Sequence, residues 1–228
     1  RFGSDPRAAA IVLFWIGAGT VFTLEQAWPA PWLLLYLCAA LWLWDRVGWL
    51  SAAALILALT LKQTAWFCVP FLAVLAVHER RWKRTAAVAL GVAVVVAPFF
   101  LWDPSAFFHN VVVDLLAKPP REDALSWAAV SLRHAPALFT PTTLLSVVGC
   151  GGALAGLILR LRGGRYADPV GETHRWMILG LFGLFLFLKQ AFFNYYWLVG
   201  GLLCFYIVTA GGIPRGIGKE TQTAERSR

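Results

Sequence analysis

The sequence predicts an all-α fold: a polytopic bundle of about eight transmembrane helices with a juxtamembrane helical loop on the outer face. Composition is the first observation behind this prediction. Of the 228 residues, 59% are hydrophobic and only 14% are charged, whereas a soluble domain carries about 25% charge. The second observation is distribution, because the charges form short clusters separated by long apolar stretches. One small globule cannot bury all of these stretches, and lipid is the solvent that tolerates them.

Eight apolar segments follow one another along the chain and predict the transmembrane helices. Several are shorter than the ~20 residues that a perpendicular helix needs, which a thinner bilayer or shielding by neighbouring helices accommodates. We expect the bundle to fill residues 1–212 and a disordered, basic cytoplasmic tail to fill residues 213–228. The predicted spans are 8–24, 32–44, 48–61, 64–77, 85–101, 137–159, 176–189 and 195–211.

The apolar stretch from residue 48 to 77 is interpreted as two helices rather than one. A single helix of that length would measure about 45 Å. It would also hold Lys62 near the membrane centre, at a cost of roughly 3 kcal/mol. Two short helices instead place Lys62 and Gln63 in a turn at the membrane surface.

The basic residues set the predicted orientation. With eight spans and both ends in the cytoplasm, 15 of the 20 Lys and Arg residues fall inside and 5 fall outside, as the positive-inside rule describes. The net charge of +8 does not indicate a nucleic acid partner, because the basic residues lie at helix ends and not along one face. The expected location is the inner cell membrane, and the expected partner is the lipid bilayer.

The longest connection, residues 103–135, falls on the predicted outer face. Asp103 and the proline that follows it are typical of a helix N-cap with proline in the first turn. Apolar residues then recur at helical spacing, whereas His109 and its polar neighbours fall mainly on the other side, which predicts a helix lying along the membrane surface. Lys118 and the two prolines after it end this helix, and a second short helix is expected over residues 122–133.

Small residues in the apolar segments indicate packing and not chemistry. Gly152 and Gly156 have the spacing that lets two membrane helices approach closely. The four cysteines show neither metal-binding nor disulfide spacing, and each behaves as a small apolar residue. They are Cys38, Cys68, Cys150 and Cys204.

Two Lys-Gln dipeptides carry the predicted binding site, because both fall at outer ends of predicted spans. Two ammonium groups that converge at the outer interface suit a phosphate or diphosphate headgroup. The alternative is that each lysine only extends from a helix end towards water. The predicted lipid-phosphate-binding residues are Lys62, Gln63, Lys189, Gln190, Asn194 and Tyr195.

Three residues are weaker candidates for catalysis. Glu25, in the first outer loop, has the chemistry of a general base or metal ligand, and the alternative is a solvated loop acid. Asp103 is most simply a helix cap, and a lone histidine at a wet interface, such as His109, usually has no special role. The sequence shows no P-loop, GxGxxG, HExxH, GxSxG or paired CxxC motif. No cofactor or metal site is evident, and a requirement for a divalent cation is left open.

Three segments carry a family resemblance. LILALTLKQTAWFCVPFLAVLAV resembles the signature of bacterial GT-C superfamily membrane glycosyltransferases, in which a helix rich in small residues is followed by Lys and a Pro-containing helix. PFFLWDPSAFFHNVV and LKQAFFNYYWLVGGLL look like later parts of the same pattern. The family includes mannosyltransferase-like proteins that depend on polyprenyl phosphate.

The resemblance implies transfer of a sugar from a polyprenyl-phosphate donor to a lipid, glycan or protein acceptor on the outer face. It also implies that Lys62 and Lys189 hold the lipid phosphate, supported by the polar residues beside them, and that residues 103–133 roof the site. The catalytic acids of such enzymes usually lie in a large outer loop near the N-terminus, which this sequence lacks. We therefore expect the chain, which starts at Arg1 in a loop-like segment, to be an inactive C-terminal part of a longer enzyme.

Two other classes of protein remain as alternatives. A transporter or flippase would place ionisable groups near the membrane midplane and show two related halves. A non-catalytic scaffold subunit would leave both lysines without effect on any reaction.

Overall fold

The computed structural model describes residues 6–26, 28–117, 121, 123–164 and 168–210. Within these ranges the chain is helical and forms no strand, which confirms the all-α class. The predicted tail, 213–228, lies outside the described residues. The helices are α1 (Pro6–Ile16), α2 (Ala18–Glu25), α3 (Ala30–Trp42), α4 (Gly48–Leu61), α5 (Val69–His78), α6 (Trp82–Trp102), α7 (Pro104–Phe108), α8 (Asp114–Ala117), α9 (Trp127–His134), α10 (Phe139–Arg162), α11 (Pro169–Phe187) and α12 (Phe193–Ala210).

Helical structure occupies all eight predicted spans, although their bounds shift. The first span is broken at Gly17 into α1 and α2, and α11 begins seven residues before its predicted start. Among the described helices, two are long and apolar enough to cross a membrane, Trp82–Trp102 and Pro136–Arg162. The apolar helices of α3, α4, α5 and α12 are shorter. The number of membrane crossings therefore stays a prediction.

The break between α4 and α5 lies where the position of Lys62 predicts it. Helix α4 ends at Leu61, and Lys62 has an extended backbone with φ −152° and ψ 135°. A 3₁₀ turn over Gln63–Cys68 then leads into α5. Pro70 lies in the first turn of α5, where its missing N–H group costs no helical hydrogen bond. We use the terms Lys62 end and Arg81 end for the two opposite ends of the α4–α5 pair.

Helices α10 and α11 pack closely as an antiparallel pair. A Cβ added to Gly149 would lie 3.2 Å from the backbone of Gly183, so the two backbones approach there. Gly156 packs against the ring of Trp176, whereas no atom lies within 4 Å of a Cβ built on Gly152. The prediction for Gly152 was wrong because the contact face of α10 follows a seven-residue spacing from Gly149 to Gly156.

The apolar core lies between α3, α4, α5, α11 and α12, and it includes the buried side chains of Trp44, Phe71 and Phe185. By contrast, large apolar side chains on α6 and α10 are exposed. Leu90 is 67% exposed and Leu159 is 71% exposed. No residue in the most apolar window of α6 is buried, and 22% of that of α10 is. A soluble monomer rarely exposes contiguous apolar surface of this extent.

The connection after α6 follows the predicted capping. The Asp103 side chain accepts a hydrogen bond from the backbone N–H of Ala106 at 2.9 Å and begins α7. A π-helical turn over His109–Val113 joins α7 to α8. The second helix, expected over residues 122–133, instead begins at Trp127, because Ser126 caps it through the backbone N–H of Ala129.

The Arg81 end of the bundle is closed by a polar network. Arg81 donates to Glu79 (2.7 Å) and pairs with Asp45, while the indole N–H of Trp44 donates to Glu79 at 2.6 Å. Arg84 donates to the Trp44 carbonyl at 2.7 Å and lies 4.7 Å from the centre of its ring. The network therefore ties the α3–α4 turn to the α5–α6 turn.

Candidate functional site

The candidate site lies at the Lys62 end, where three segments meet. These segments are the turn at Lys62, the helical run from α7 to α8, and the connection between α11 and α12. The Nζ atom of Lys62 lies 5.0 Å from the centre of the Tyr195 ring, in the range of a cation–π contact. The structure thus joins one residue of each predicted motif, Lys62 of the first and Tyr195 of the second.

Lys62 owes its position to the break between α4 and α5. Its extended backbone turns the side chain out of the helical path, and the residue is only half-buried. Burial lowers the pKa of its ammonium group below the usual range for lysine. No acidic residue in the described ranges forms an ion pair with it. Lys62 is therefore a desolvated cation whose charge faces an aromatic ring.

The Tyr195 ring is held in place on several sides. It stacks on Phe185 at a centroid distance of 4.9 Å and on Phe192 at 6.4 Å, each at an interplanar angle of 27°. Its hydroxyl group hydrogen-bonds with the side chain of Thr64, two residues after Lys62. These contacts fix the ring that faces Lys62 and link α12 to the turn that carries the lysine.

Asn194 is a buried polar residue whose side-chain oxygen lacks a hydrogen-bond donor among the described residues. It is 8% exposed, and its Oδ1 atom has no hydrogen-bond partner among the described residues. A buried acceptor left unpaired costs about 1–3 kcal/mol. Asn194 therefore offers an acceptor for which the described residues supply no donor.

Lys189 and Gln190 lie in the connection that follows the end of α11 at Phe187. Both are half-buried, and each interacts with another part of the protein. The connection that carries them leads into α12, whose Tyr195 lies beside Lys62, and their part in binding stays a prediction. The contact that the structure adds is between Lys62 and Tyr195.

Gln63 connects the site to the α7–α8 run. Its Nε2 atom donates to the backbone carbonyl of Val111 at 3.4 Å. Val111 belongs to the π-helical turn, and such turns are frequent at functional sites because they disturb the regular pairing of backbone groups. Lys62 and Gln63 therefore contact opposite sides of the site, α12 and the run after α6.

Arg121 and Leu125, which precede α9, contact the α11–α12 connection. The backbone N–H of Leu125 donates to the carbonyl of Ala191 at 2.7 Å. The single proton of the Tyr196 hydroxyl is shared between the carbonyl groups of Leu125 and Phe185. Arg121 lies 4.8 Å from the centre of a ring in the same connection. No sequence pattern indicated these residues, because their partners are far away in the chain.

The three weaker catalytic candidates take no part in the contact between Lys62 and Tyr195. Glu25 is exposed at the end of α2, and Asp103 is engaged as the cap of α7. His109 Nδ1 lies 3.4 Å from an oxygen of Asp114, with both side chains exposed, and forms an ion pair only when protonated. In the described part of the chain, none of the three candidates contacts Lys62 or Tyr195. Among the described residues, no group of three or more His, Cys, Asp or Glu side chains is placed to hold a metal ion.

No protein-family model, curated protein or solved structure matches this chain.

Proposed function

We propose that this chain is the lipid-phosphate-holding part of a GT-C-like membrane glycosyltransferase. In this proposal, a sugar passes from a polyprenyl-phosphate donor to a lipid, glycan or protein acceptor on the outer face. The observation that carries the proposal is Lys62, a half-buried cation without a carboxylate partner in the described ranges. A partly buried ammonium group without a carboxylate partner is stabilised when it binds an anion. The phosphate of a lipid donor is such an anion.

The same proposal gives the chain about eight membrane spans with both ends in the cytoplasm. The exposed apolar surfaces of α6 and α10 support membrane insertion, because lipid covers such surfaces without cost. The excess of basic residues on one side supports the orientation. Under this topology the Lys62 end faces outwards, and the residues after α6 lie along the outer membrane surface.

Lys62 has a defined part in the proposed transfer. When the bond between the anomeric carbon and the phosphate oxygen breaks, its electron pair stays on the phosphate, which gains negative charge. The ammonium group stabilises that charge, and Oδ1 of Asn194 accepts a hydrogen bond from a sugar hydroxyl group of the donor. In the proposal Lys189 is the second lysine beside the phosphate. The acceptor hydroxyl attacks the anomeric carbon and gives its proton to a base that we do not assign among the described residues.

Binding of sugar-free polyprenyl phosphate to the chain in nanodiscs tests the proposal. We expect Lys62→Met to weaken binding by about 10–100-fold, because a hydrogen bond to a charged group contributes about 1.5–3 kcal/mol. Lys83→Met is the matched control, since Lys83 is an exposed lysine at the Arg81 end. Native mass spectrometry or fluorescence titration measures the affinity.

Three results would overturn this assignment. Equal affinity of both variants would remove the phosphate-binding role and favour a non-catalytic scaffold. Equal binding of the uncharged polyprenol would show that the chain recognises hydrocarbon and not phosphate. Flux of a polar solute across proteoliposomes that contain the chain would favour the transporter alternative.

A further inference from the structure

The contact between Lys62 and Tyr195 gives the tyrosine a role that its place in the sequence does not predict. The sequence names Tyr195 as a residue that binds the lipid phosphate, which its hydroxyl group would do. In the structure that hydroxyl group is engaged in a hydrogen bond with the side chain of Thr64. The ring is what Tyr195 presents to the lysine, since Nζ of Lys62 lies 5.0 Å from the ring centre. Tyr195 therefore acts on the lysine through the face of its ring.

The ring of Tyr195 is the fixed partner in this contact, and the lysine is the flexible one. Tyr195 lies in the first turn of α12, and its ring stacks on Phe185 at the end of α11 and on Phe192 in the connection before α12. The bond to Thr64 adds a third support, from the 3₁₀ turn after α4. A lysine ammonium, by contrast, ends a flexible stem of four carbons. The position of the ring therefore determines where the Lys62 ammonium rests.

Burial and the ring have opposite effects on the charge of Lys62. Burial lowers the pKa of the ammonium group, because it removes water from the charged form. Charged groups on the neighbouring segments, such as Lys189, His109 and Asp114, are not among the causes of this shift. The titratable group in contact with the ammonium is the phenol of Tyr195, and the negative face of an aromatic ring attracts a cation. The ring thus favours the charged form that burial disfavours.

We propose that Tyr195 is a positioning residue, whose ring holds the Lys62 ammonium in place and in its charged form for an incoming anion. The inference rests on the proposed function, because that function gives the contact its purpose, but the contact itself belongs to the ligand-free chain. A lysine that is already held loses less side-chain freedom when it binds an anion, which raises the affinity. Tyr195 acts in this way through Lys62 and not by its own bond to the phosphate.

The titration of Lys62 in the ligand-free chain tests the contact directly. The chain in nanodiscs is treated with trace acetic anhydride over a range of pH, and mass spectrometry measures acetylation at each lysine. Because acetic anhydride reacts with the unprotonated amine, acetylation of Lys62 follows its loss of charge. We expect Tyr195→Leu to move the midpoint of this profile to lower pH by about half to one unit, since the ring no longer stabilises the cation. Tyr195→Phe keeps the ring and should keep the midpoint, and the exposed Lys83 is the internal reference that should not move.

The sign of the shift separates a positioning role from a purely structural one. If the ring only covered Lys62, Tyr195→Leu would admit water and move the midpoint to higher pH, and such a rise, or no change, would overturn the proposal. Phe192→Leu is the matched control, because it removes a ring of the same stack that faces Arg121 and not Lys62. An equal shift in that variant would assign the effect to loosened packing. Thr64→Val keeps the ring but removes the bond that fixes it, and should give a smaller shift towards lower pH.

Binding of polyprenyl phosphate at neutral pH to the same variants tests the purpose of the contact. We expect Tyr195→Leu to weaken binding by about three- to tenfold, the cost of immobilising one long side chain, and Tyr195→Phe to restore it. Equally tight binding by Tyr195→Leu would reject the positioning role and leave the proposed function in place. A wild-type chain that binds no polyprenyl phosphate but shows the shifted acetylation in Tyr195→Leu would reject the proposed function and keep the role of the ring in holding the charge.

Discussion

The two ends of the α4–α5 pair differ in the groups that surround their cations. At the Arg81 end, Arg81 is paired with both Glu79 and Asp45. At the Lys62 end, Lys62 has an aromatic ring as its neighbour and no carboxylate partner in the described ranges. A partly buried cation is stable when its charge is balanced and costs free energy when it is not. The first end therefore holds the fold together, and the second is suited to bind an external anion.

Asn194 adds a second difference between the two ends, in the pairing of buried polar atoms. The polar atoms of the Arg81 network have partners within the protein, whereas Oδ1 of Asn194 has none among the described residues. Proteins seldom leave buried acceptors unpaired. The proposed donor would complete both groups, because its sugar hydroxyl groups donate and its phosphate is an anion.

The largest expected effect is a loss of stability at the Arg81 end, which holds the fold together. Arg81→Ala removes the partner of Glu79 and Asp45, so we expect a loss of about 2–3 kcal/mol in the free energy of unfolding, below the value for a fully buried pair. Arg81 also follows Arg80, whose φ of 56° places it in the strained left-handed region. Unfolding in mixed detergent micelles measures the change. Lys62→Ala, examined in parallel without ligand, should cost less than about 1 kcal/mol, and an equal loss would remove the distinction between the two ends.

A smaller effect of opposite sign is expected at the Lys62 end. Asn194→Leu replaces an unpaired buried acceptor with an apolar group of similar size, and we expect the ligand-free protein to gain about 1 kcal/mol of stability. The same variant should be stabilised less than the wild type when a polyprenyl-phosphate sugar is added, because a sugar hydroxyl group donates to Oδ1 whereas the phosphate oxygens do not. Thermal unfolding with and without the lipid measures both changes. A loss of stability without ligand would show that Asn194 supports the fold.

The smallest effect on stability is a pH dependence that belongs to Lys62. Burial lowers the pKa of this lysine in the folded chain. Its positive charge, and with it the affinity for phosphate, is therefore present below that lowered pKa and declines as pH rises through it. Between the folded and unfolded pKa values the unfolded chain binds more protons, so stability of the ligand-free protein rises with pH in that window.

Titrations from neutral to alkaline pH measure both quantities. The affinity should fall by about tenfold for each pH unit above the lowered pKa, while the stability rises slightly. Lys62→Met should flatten both profiles. A wild-type affinity that does not change over this range would mean that Lys62 does not carry the binding charge.

Much of the local structure followed from the sequence alone. The unfavourable placement of a charge in mid-membrane predicted the break at Lys62, and the structure has it there. The cap at Asp103 followed from a side chain that bonds to its own backbone three residues later. Such features depend on a few neighbouring residues, so they can be predicted from the local pattern of residue types. The start of α9 was misplaced because the Ser126 cap gave a weaker pattern than the acidic residues before it.

The candidate site was only partly predictable. The sequence named Lys62, Gln63, Lys189, Gln190, Asn194 and Tyr195 as a set. It did not indicate that the Lys62 ammonium meets the Tyr195 ring, that Thr64 fixes this ring, or that Leu125 pairs with Ala191. These contacts join residues that are distant in the chain, and their partners follow from how the helices pack.

The sequence by itself thus determined the helical class, the order of the apolar segments and the break at Lys62. These follow from composition, periodicity and charge, which are local properties. Only the tertiary structure decided which cation is balanced and which is not, since Arg81 and Lys62 both occupy turns beside apolar helices. That difference arises from the packing of distant segments, which brings carboxylates to Arg81 and an aromatic ring to Lys62.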